Sequence, residues 1–351
     1  MAFLLKNNFI NLYIFKGVIL MIKDYDCKLD LYETEVAIKK IKDYFERTLA
    51  YELNLTRVSA PLYVRRSSGL NDDLSGSERP VIFDTKWDKG EEFQIIHSLA
   101  KWKRMALKRY NFPNHSGLYT DMNAIRRDED LDNIHSMYVD QWDWELTIKK
   151  EERNMTTLKA IVKEIYRALR KTEEYILREY PIFEKKLPHD ITFITSQELE
   201  NLYPELTPKE REDQIAKIHK AVFISQIGKT LESGKKHDGR APDYDDWNLN
   251  GDILVWNPVL GHALELSSMG VRVDEETLDA QLKISGLEER KKLTFHKALL
   301  NGELPYTVGG GIGQSRICMF FLEKLHIGEV QASVWPEEMV EEYAKIGAHF
   351  L

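Results

Sequence analysis

Apolar residues recur at Val36, Ile38, Ile41, Tyr44, Phe45, Leu49 and Leu53 in the stretch 31–53, "LYETEVAIKKIKDYFERTLAYEL". Spacings of three and four predict an amphipathic helix. "LTRVSAPLYV" reads as a strand broken by Pro61, which lacks an amide proton and so belongs at an edge. "RPVIFDTK" and "GEEFQIIHSL" are short strand-like runs, and "LAKWKRMALKRYNF" is helical. "GLYTDMNAIRR" and "HSMYVDQWDWEL" predict two strands of a hairpin around the polar stretch "DEDLDN". A helix is expected over 156–179, closed by Pro181; "DITFIT" then reads as a strand, and "SQELENLYPEL" as a helix capped by Ser196. "KAVFISQIG", "DILVWNPVL" and "HALELSSMGVRV" predict three more strands, and 275–286 and 288–301 are helical. The glycine-rich "YTVGGGIGQSR" leads into the apolar run "ICMFFLEKL" as the last strand and helix. Strands come in hairpin-like pairs rather than in regular alternation with helices, so an α+β fold on a mostly antiparallel sheet is expected.

"FINLYIFKGVILMI" (9–22) is apolar but interrupted by Asn11, Lys16 and Gly17, and it is too short to span a bilayer. It also lacks the small-residue site at which a secretory leader is cut. With a second methionine at Met21, residues 1–20 are expected to be a poorly ordered extension, and 21–351 a single domain without internal repeats.

Composition narrows the function. A net charge of −8 over 351 residues leaves no basic footprint for nucleic acid. Two cysteines, Cys27 and Cys318, offer neither a disulfide framework nor metal-ligand spacing, which fits a reducing cytoplasm.

Three stretches carry candidate chemistry. "GGGIGQSR" (309–316) sits between a predicted strand and helix, matches neither a phosphate-loop nor a dinucleotide fingerprint, and places Arg316 where a helix N-terminus already favours an anion. In "AIRRDEDLDNIHSMYVDQWDWE", Gln141 and Asp143 alternate with Trp142 and Trp144, so a polar strand face lies opposite an aromatic one, as in a pocket floor. "HDGRAPDYDDWNLNGDI" gathers Asp238, Asp243, Asp245, Asp246 and Asp252, a set read either as a solvated loop (for Asp246 above all) or as a site for magnesium and ribose hydroxyls. Glu265 and Ser267 follow along the neighbouring strand. His97 and His135 read as structural hydrogen-bonding groups.

In order, these blocks resemble the three signature motifs of class II aminoacyl-tRNA synthetase cores, with 31–61, 118–145 and 309–322 as motifs 1, 2 and 3. "HSLAKWKR", "LYTDMNAIR", "YVDQWDWE", "RAPDYDDW", "NGDILVWNP" and "GGGIGQSR" are, more narrowly, similar to ammonia-dependent asparagine synthetases, a synthetase-like core without an anticodon-binding domain, over about 28–336. The resemblance implies a mostly antiparallel sheet flanked by helices, a homodimer, and ATP-dependent amidation of L-aspartate by ammonia through β-aspartyl-adenylate, with Mg²⁺. It assigns Asp72, Arg126 and Gln141 to catalysis: Asp72 would take the ammonium proton, and Arg126, with Arg127 as the alternative, would grip the α-phosphate. Ser98, Lys103, Asp143 and Arg316 would bind aspartate, Lys103 at its side-chain carboxylate and Asp143 at its ammonium. Ser136, Asp245, Asp252, Glu265, Ser267, Ser268, Arg272, Gly311 and Arg316 would bind the nucleotide, with Asp252 and Glu265 also holding the metal. The chain departs from the family at Asn248 and Leu249, where a longer loop is usual, and at Asp73, where asparagine is usual; an added charge there would raise the pKa of Asp72. The competing readings are a related core that passes its adenylate to tRNA or to a protein lysine, and a degenerate core that senses amino acid or AMP.

Overall fold

The computed structural model describes residues 11–15, 18–22, 25–72, 74 and 78–351. Strands β1 (Asn11–Phe15) and β2 (Val18–Ile22) pair antiparallel. Residues 1–10, part of the expected extension, lie outside the described residues, as does Asp73.

Helix α1 (Leu31–Leu53) begins with a capping box, the Asp30 carboxylate accepting from the Glu33 amide, and ends on Asn54 in the left-handed region. Its apolar stripe, Ala37, Ile38, Ile41, Phe45 and Leu49, is buried. The run around Pro61 splits into β3 (Leu55–Arg57) and β4 (Tyr63–Arg65); β4 forms a small sheet with β5 (Ile82–Phe83) and β6 (Phe93–Ile95) in the order β4-β6-β5. Then come α2 (Ala100–Arg109), the hairpin β7 (Gly117–Ile125) and β8 (Tyr138–Thr147), and α3 (Met155–Glu179), which lies on α1 with Tyr44 and Tyr175 stacked at 4.3 Å.

After β9 (Thr192–Thr195), α4 (Ser196–Leu202) is capped by Thr195 and not by Ser196, whose hydroxyl donates to the Gln226 carbonyl. The next helix, α5 (Pro208–His219), was not expected from its weak apolar stripe, yet Thr207-Pro208-x-Glu210 is a capping box with proline at the first helical position. The chain continues through β10 (Ala221–Ser225), β11 (Asp245–Asn257), β12 (His262–Arg272), α6 (Glu275–Ser285), α7 (Thr294–Leu300), β13 (Thr307–Gly313) and α8 (Gln314–Phe321). The expected helix 288–301 is a 3₁₀ turn and α7, divided at Leu293. A final helix, α9 (Glu337–Ala344), follows the glycine-rich segment.

The main sheet has the order β3-β7-β8-β13-β12-β11-β10-β9, antiparallel except at its two ends, where β3 pairs β7 and β9 pairs β10 in parallel. Helices α1, α3 and α8 cover one face, burying Phe45, Trp142, Trp144, Ile165, Met269 and Phe320 in one core. The opposite face of β8, β13 and β12 carries the polar residues. Among the described residues, no helix is long and apolar enough to cross a membrane.

Candidate active site

A cavity of about 530 Å³ opens over β8, β13 and β12. Alternation along β8 sends Trp142 and Trp144 into the core, Trp142 against Phe45 at 4.8 Å, and turns Gln141 and Asp143 to the cavity. Every site residue expected from the sequence borders this cavity except Asp252. Of the arginine pair, Arg126 faces it and Arg127 is exposed.

Strand β13 explains its glycines by crowding rather than by dihedral freedom, since Gly309, Gly310, Gly311 and Gly313 all have ordinary backbone angles. A Cβ on Gly309 would stand 1.9 Å from Glu145 Oε2 and 2.6 Å from Arg272 Nη2, so this glycine makes room for a protein ion pair and not for a ligand. One on Gly311 would stand 2.5 Å from Gln141 Oε1 and 2.9 Å from Asp143 Oδ1, at the cavity wall. Of these glycines, Gly311, the one named for the nucleotide, borders the cavity, whereas Gly309 serves the ion pair.

Beneath the cavity runs a buried charge network. Arg272 donates through Nε and Nη2 to Glu145 at 3.0 and 2.8 Å and through Nη1 to Asp245, while the Thr307 hydroxyl donates to Glu145 at 2.7 Å. Lys103 Nζ lies 3.2 Å from Asp143 Oδ1 and 3.9 Å from Glu145 Oε2, and donates to the Gly310 carbonyl at 2.9 Å. The Leu99 amide donates to Asp143 at 3.1 Å. Burial pulls the Lys103 ammonium below the ordinary lysine range despite its carboxylate neighbours. Burial pushes Glu145 up, but Arg272 and Lys103 outweigh it and hold that carboxyl below its usual range. Burial keeps Asp245 raised in spite of Arg272 and Arg240.

On the β12 side, Arg316, in the first turn of α8, donates to the Glu265 carbonyl at 3.1 Å and stands 3.8 Å from its carboxylate. The turn is fixed by Ser315, whose amide and hydroxyl donate to Asp140 at 3.2 and 2.6 Å. Ser267 donates to the Gly311 carbonyl at 3.0 Å, and Ser136 lies 3.2 Å from the Ser333 hydroxyl. Arg126 contributes a buried Nε with no hydrogen-bond partner, an unspent donor at the cavity wall. Burial pushes Glu265 up, yet Arg316, Lys209, Arg240 and Arg126 together hold it below the usual range.

At the other end, Asp72 accepts from the Leu74 amide at 3.0 Å and the Ser98 hydroxyl at 3.1 Å, while His97 Nδ1 meets the Asp72 carbonyl at 2.9 Å. Only 1% exposed, its carboxyl is pushed up to about 6 by burial, against Lys101 and with Asp243. In the β7–β8 hairpin loop, Asp128 borders the cavity and accepts from the Arg79 amide at 2.9 Å and the Arg79 Nε at 3.0 Å.

The solvated-loop reading holds for Asp238, which is exposed, and is overturned for the other four aspartates. Asp243, Asp245 and Asp246 are all buried; Asp246 pairs with Arg153 at 3.1 Å, and Asp243 with Lys101 and Arg290, both at 3.1 Å, and His296 at 3.0 Å. Asp252 accepts from Arg240 Nη2 at 2.6 Å, one strand away from Glu265. Asn248 and Leu249, where the resemblance implies a longer loop, lie within β11 at a break in its pairing with β12, between Asp245 and Asn250. Sequence reasoning missed Arg240, which also donates to Ser268, and Glu145. The same alternation that picked out Gln141 and Asp143 reaches Glu145 two residues on, whereas Arg240 opens the block "RAPDYDDW" without any role attached to it. No group of three or more carboxylate, histidine or cysteine side chains forms a metal cage among the described residues. Magnesium commonly takes one or two carboxylates and completes its shell with phosphates and water, and Glu265 at the cavity wall suits that role.

An antiparallel sheet with its polar face under one cavity, a hairpin arginine at one end and a strand–helix arginine at the other defines a class II aminoacyl-tRNA synthetase-like catalytic core. The asparaginyl-tRNA synthetase of Pyrococcus horikoshii complexed with asparaginyl-adenylate superposes with a TM-score of 0.63 at 14% identity, covering 86% of this chain and 70% of that one. The aspartyl-tRNA synthetase of Entamoeba histolytica gives 0.56 at 16% identity, over 85% and 58%. The model of the aspartate–ammonia ligase family matches residues 32–347, and the chain belongs to that family. It is 66% identical over 319 residues to an aspartate–ammonia ligase of Clostridium tetani, covering 91% of this chain and 94% of that one. It is 60% identical over 320 residues to one of Lactobacillus johnsonii, covering 91% and 95%.

Proposed function

We infer that the protein joins L-aspartate and ammonia into L-asparagine, converting ATP to AMP and pyrophosphate through β-aspartyl-adenylate. The observation that carries this is the Lys103–Asp143 pair at 3.2 Å, a buried cation and anion spaced to be exchanged for the carboxylate and ammonium of an amino acid, in one cavity with Arg126 and Arg316. In the first step a β-carboxylate oxygen attacks the α-phosphorus, forming a C–O–P link as the bond to pyrophosphate breaks. Arg126 neutralises the charge that grows on the phosphoryl oxygens, and Arg316 with Gly311 seats the nucleotide. In the second, Asp72 removes a proton from ammonium, the free amine attacks the carbonyl carbon, and the C–O bond to AMP breaks; the second proton leaves the nitrogen for water. Gln141 and Ser98 orient the aspartate. Mg²⁺, held by Glu265 with Asp252 behind it, would supply further charge neutralisation on the phosphates. Asp252 must loosen its Arg240 contact to take part. Residues 21–351 act as one catalytic domain in the cytoplasm, as a homodimer through the outer face of α1, where Tyr32 and Tyr51 are exposed.

A product assay with aspartate, Mg-ATP and ammonium chloride tests the reading. Asparagine, AMP and pyrophosphate in equal amounts are expected. ADP and phosphate would replace the adenylate with an acyl phosphate and refute the roles given to Arg126 and Arg316.

A further inference from the structure

A second cavity, of about 990 Å³, lies behind Asp72. Its outer rim carries Asp84, Glu91 and Glu92, and its floor is made by Asn71, Lys101 and Asp243, each of them buried. Among the described residues four carboxylates face three cations around it, so its net charge favours a small cation. The floor is one residue thick. Asn71 lines the second cavity and its chain neighbour Asp72 lines the first; the Asn71 side-chain oxygen accepts from the Asp72 amide at 3.0 Å. Lys101 and Asp243 are also the charges that act most strongly on the Asp72 carboxyl.

Asp243 supplies the second observation. Lys101, Arg290 and His296 all converge on its Oδ2, at 3.1, 3.1 and 3.0 Å, which leaves Oδ1 buried without a hydrogen-bond partner in a side chain that is 0% exposed. A buried carboxylate oxygen left unpaired is costly and is the acceptor that an N–H donor arriving through the cavity would satisfy. Nothing in the adenylation chemistry uses this oxygen.

We propose that the second cavity is the ammonium entry, through which the third substrate reaches Asp72 by way of Asp243 while aspartate and the nucleotide fill the first. The route rests on the amidation reading above. It explains why Asp72 sits in a wall between two cavities rather than at the mouth of one, and it lets ammonia in without opening the adenylate to water. The acidic rim concentrates ammonium by a salt-sensitive attraction.

Two variants test it. Ile82→Trp narrows the mouth at an exposed β5 residue that lines the cavity, and the triple change Asp84→Asn, Glu91→Gln, Glu92→Gln removes the rim charge. Two activities are read: ammonium-saturation kinetics, and aspartate-dependent exchange between pyrophosphate and ATP without ammonia. The Trp variant is expected to raise the ammonium KM by about tenfold and the triple variant by about threefold at low salt, the latter effect vanishing near 0.5 M salt. Exchange should stay within about twofold of the parent. The route is overturned if both variants leave the ammonium KM within about twofold, or if exchange falls in step with ammonium use in both. An absence of exchange in the parent protein would instead refute the amidation reading itself.

Discussion

Gly309 and Gly311 lie two residues apart on the same strand face, and the same added methyl should have opposite consequences at each. In Gly309→Ala the new Cβ meets Glu145 Oε2 at 1.9 Å, so the carboxylate must retreat by about 1.5 Å to ordinary contact. It cannot do so and keep its 2.8 and 3.0 Å bonds to Arg272 and its 2.7 Å bond to Thr307. Breaking a buried ion pair of this kind costs about 3–5 kcal/mol, which lowers the melting temperature on the order of 10 °C. In Gly311→Ala the nearest atom is the far end of the Gln141 side chain, which borders open cavity and can swing away. Its melting temperature should stay within about 2 °C of the parent, while aspartate-dependent pyrophosphate–ATP exchange falls by about a hundredfold, because Gln141 and Asp143 lose their positions. Thermal melts and the exchange assay on the two proteins are sufficient. A Gly309→Ala protein that melts with the parent, or a Gly311→Ala protein that melts as low as Gly309→Ala, would refute the assignment of the first glycine to the ion pair and the second to the cavity.

Asp72→Asn should abolish asparagine formation while leaving exchange within about threefold, and equal loss of both would remove Asp72 from the amidation step. Because the folded-state pKa of Asp72 is raised to about 6, its ionisation destabilises the fold as pH rises from the unfolded value through 6. The Asn variant should thus be more stable than the parent at pH 8, by up to about 3 kcal/mol, with the gap closing as pH falls toward 4. Parent amidation should correspondingly decline below about pH 6. Arg126→Ala should cut exchange by about 10²–10³-fold and Arg127→Ala by less than about threefold; the reverse order would move the phosphate contact one residue along. Lys103→Met, which keeps an apolar stem of similar length, should raise the aspartate KM by about a hundredfold with the ATP KM within about twofold. Parallel rises in both would mean that Lys103 only props the sheet.

The central strands and long helices were legible because their apolar periodicity is strong: α1, α3 and the alternating face of β8 follow it residue by residue. Helix α5 escapes periodicity because its apolar stripe is weak, and its legible signal is the capping box that starts it at Thr207. The aspartate cluster misled for a different reason. Charge density in a single sequence looks the same whether the carboxylates face water or face Arg153, Lys101, Arg240 and Arg272 brought in from elsewhere in the chain. Long-range ion pairing is what composition cannot display. The site residues carried over by resemblance nearly all meet at one cavity, with Asp252 set back behind Arg240.

Strand β13 separates the cavity wall on β8 from the wall on β12 and hydrogen-bonds to both through its own main chain. Two inter-strand steps fix that separation at about 10 Å, a distance set by peptide hydrogen bonds that no side-chain substitution readily changes. On the amidation reading, aspartate lies on the β8 wall and the nucleotide on the β12 wall, and a frame that brings their reacting atoms to about 3–3.5 Å reaches effective molarities on the order of 10⁵ M or more. A sheet of this construction works as a ruler: side chains on β8 and β12 can be exchanged while the spacing between the two walls keeps the same length.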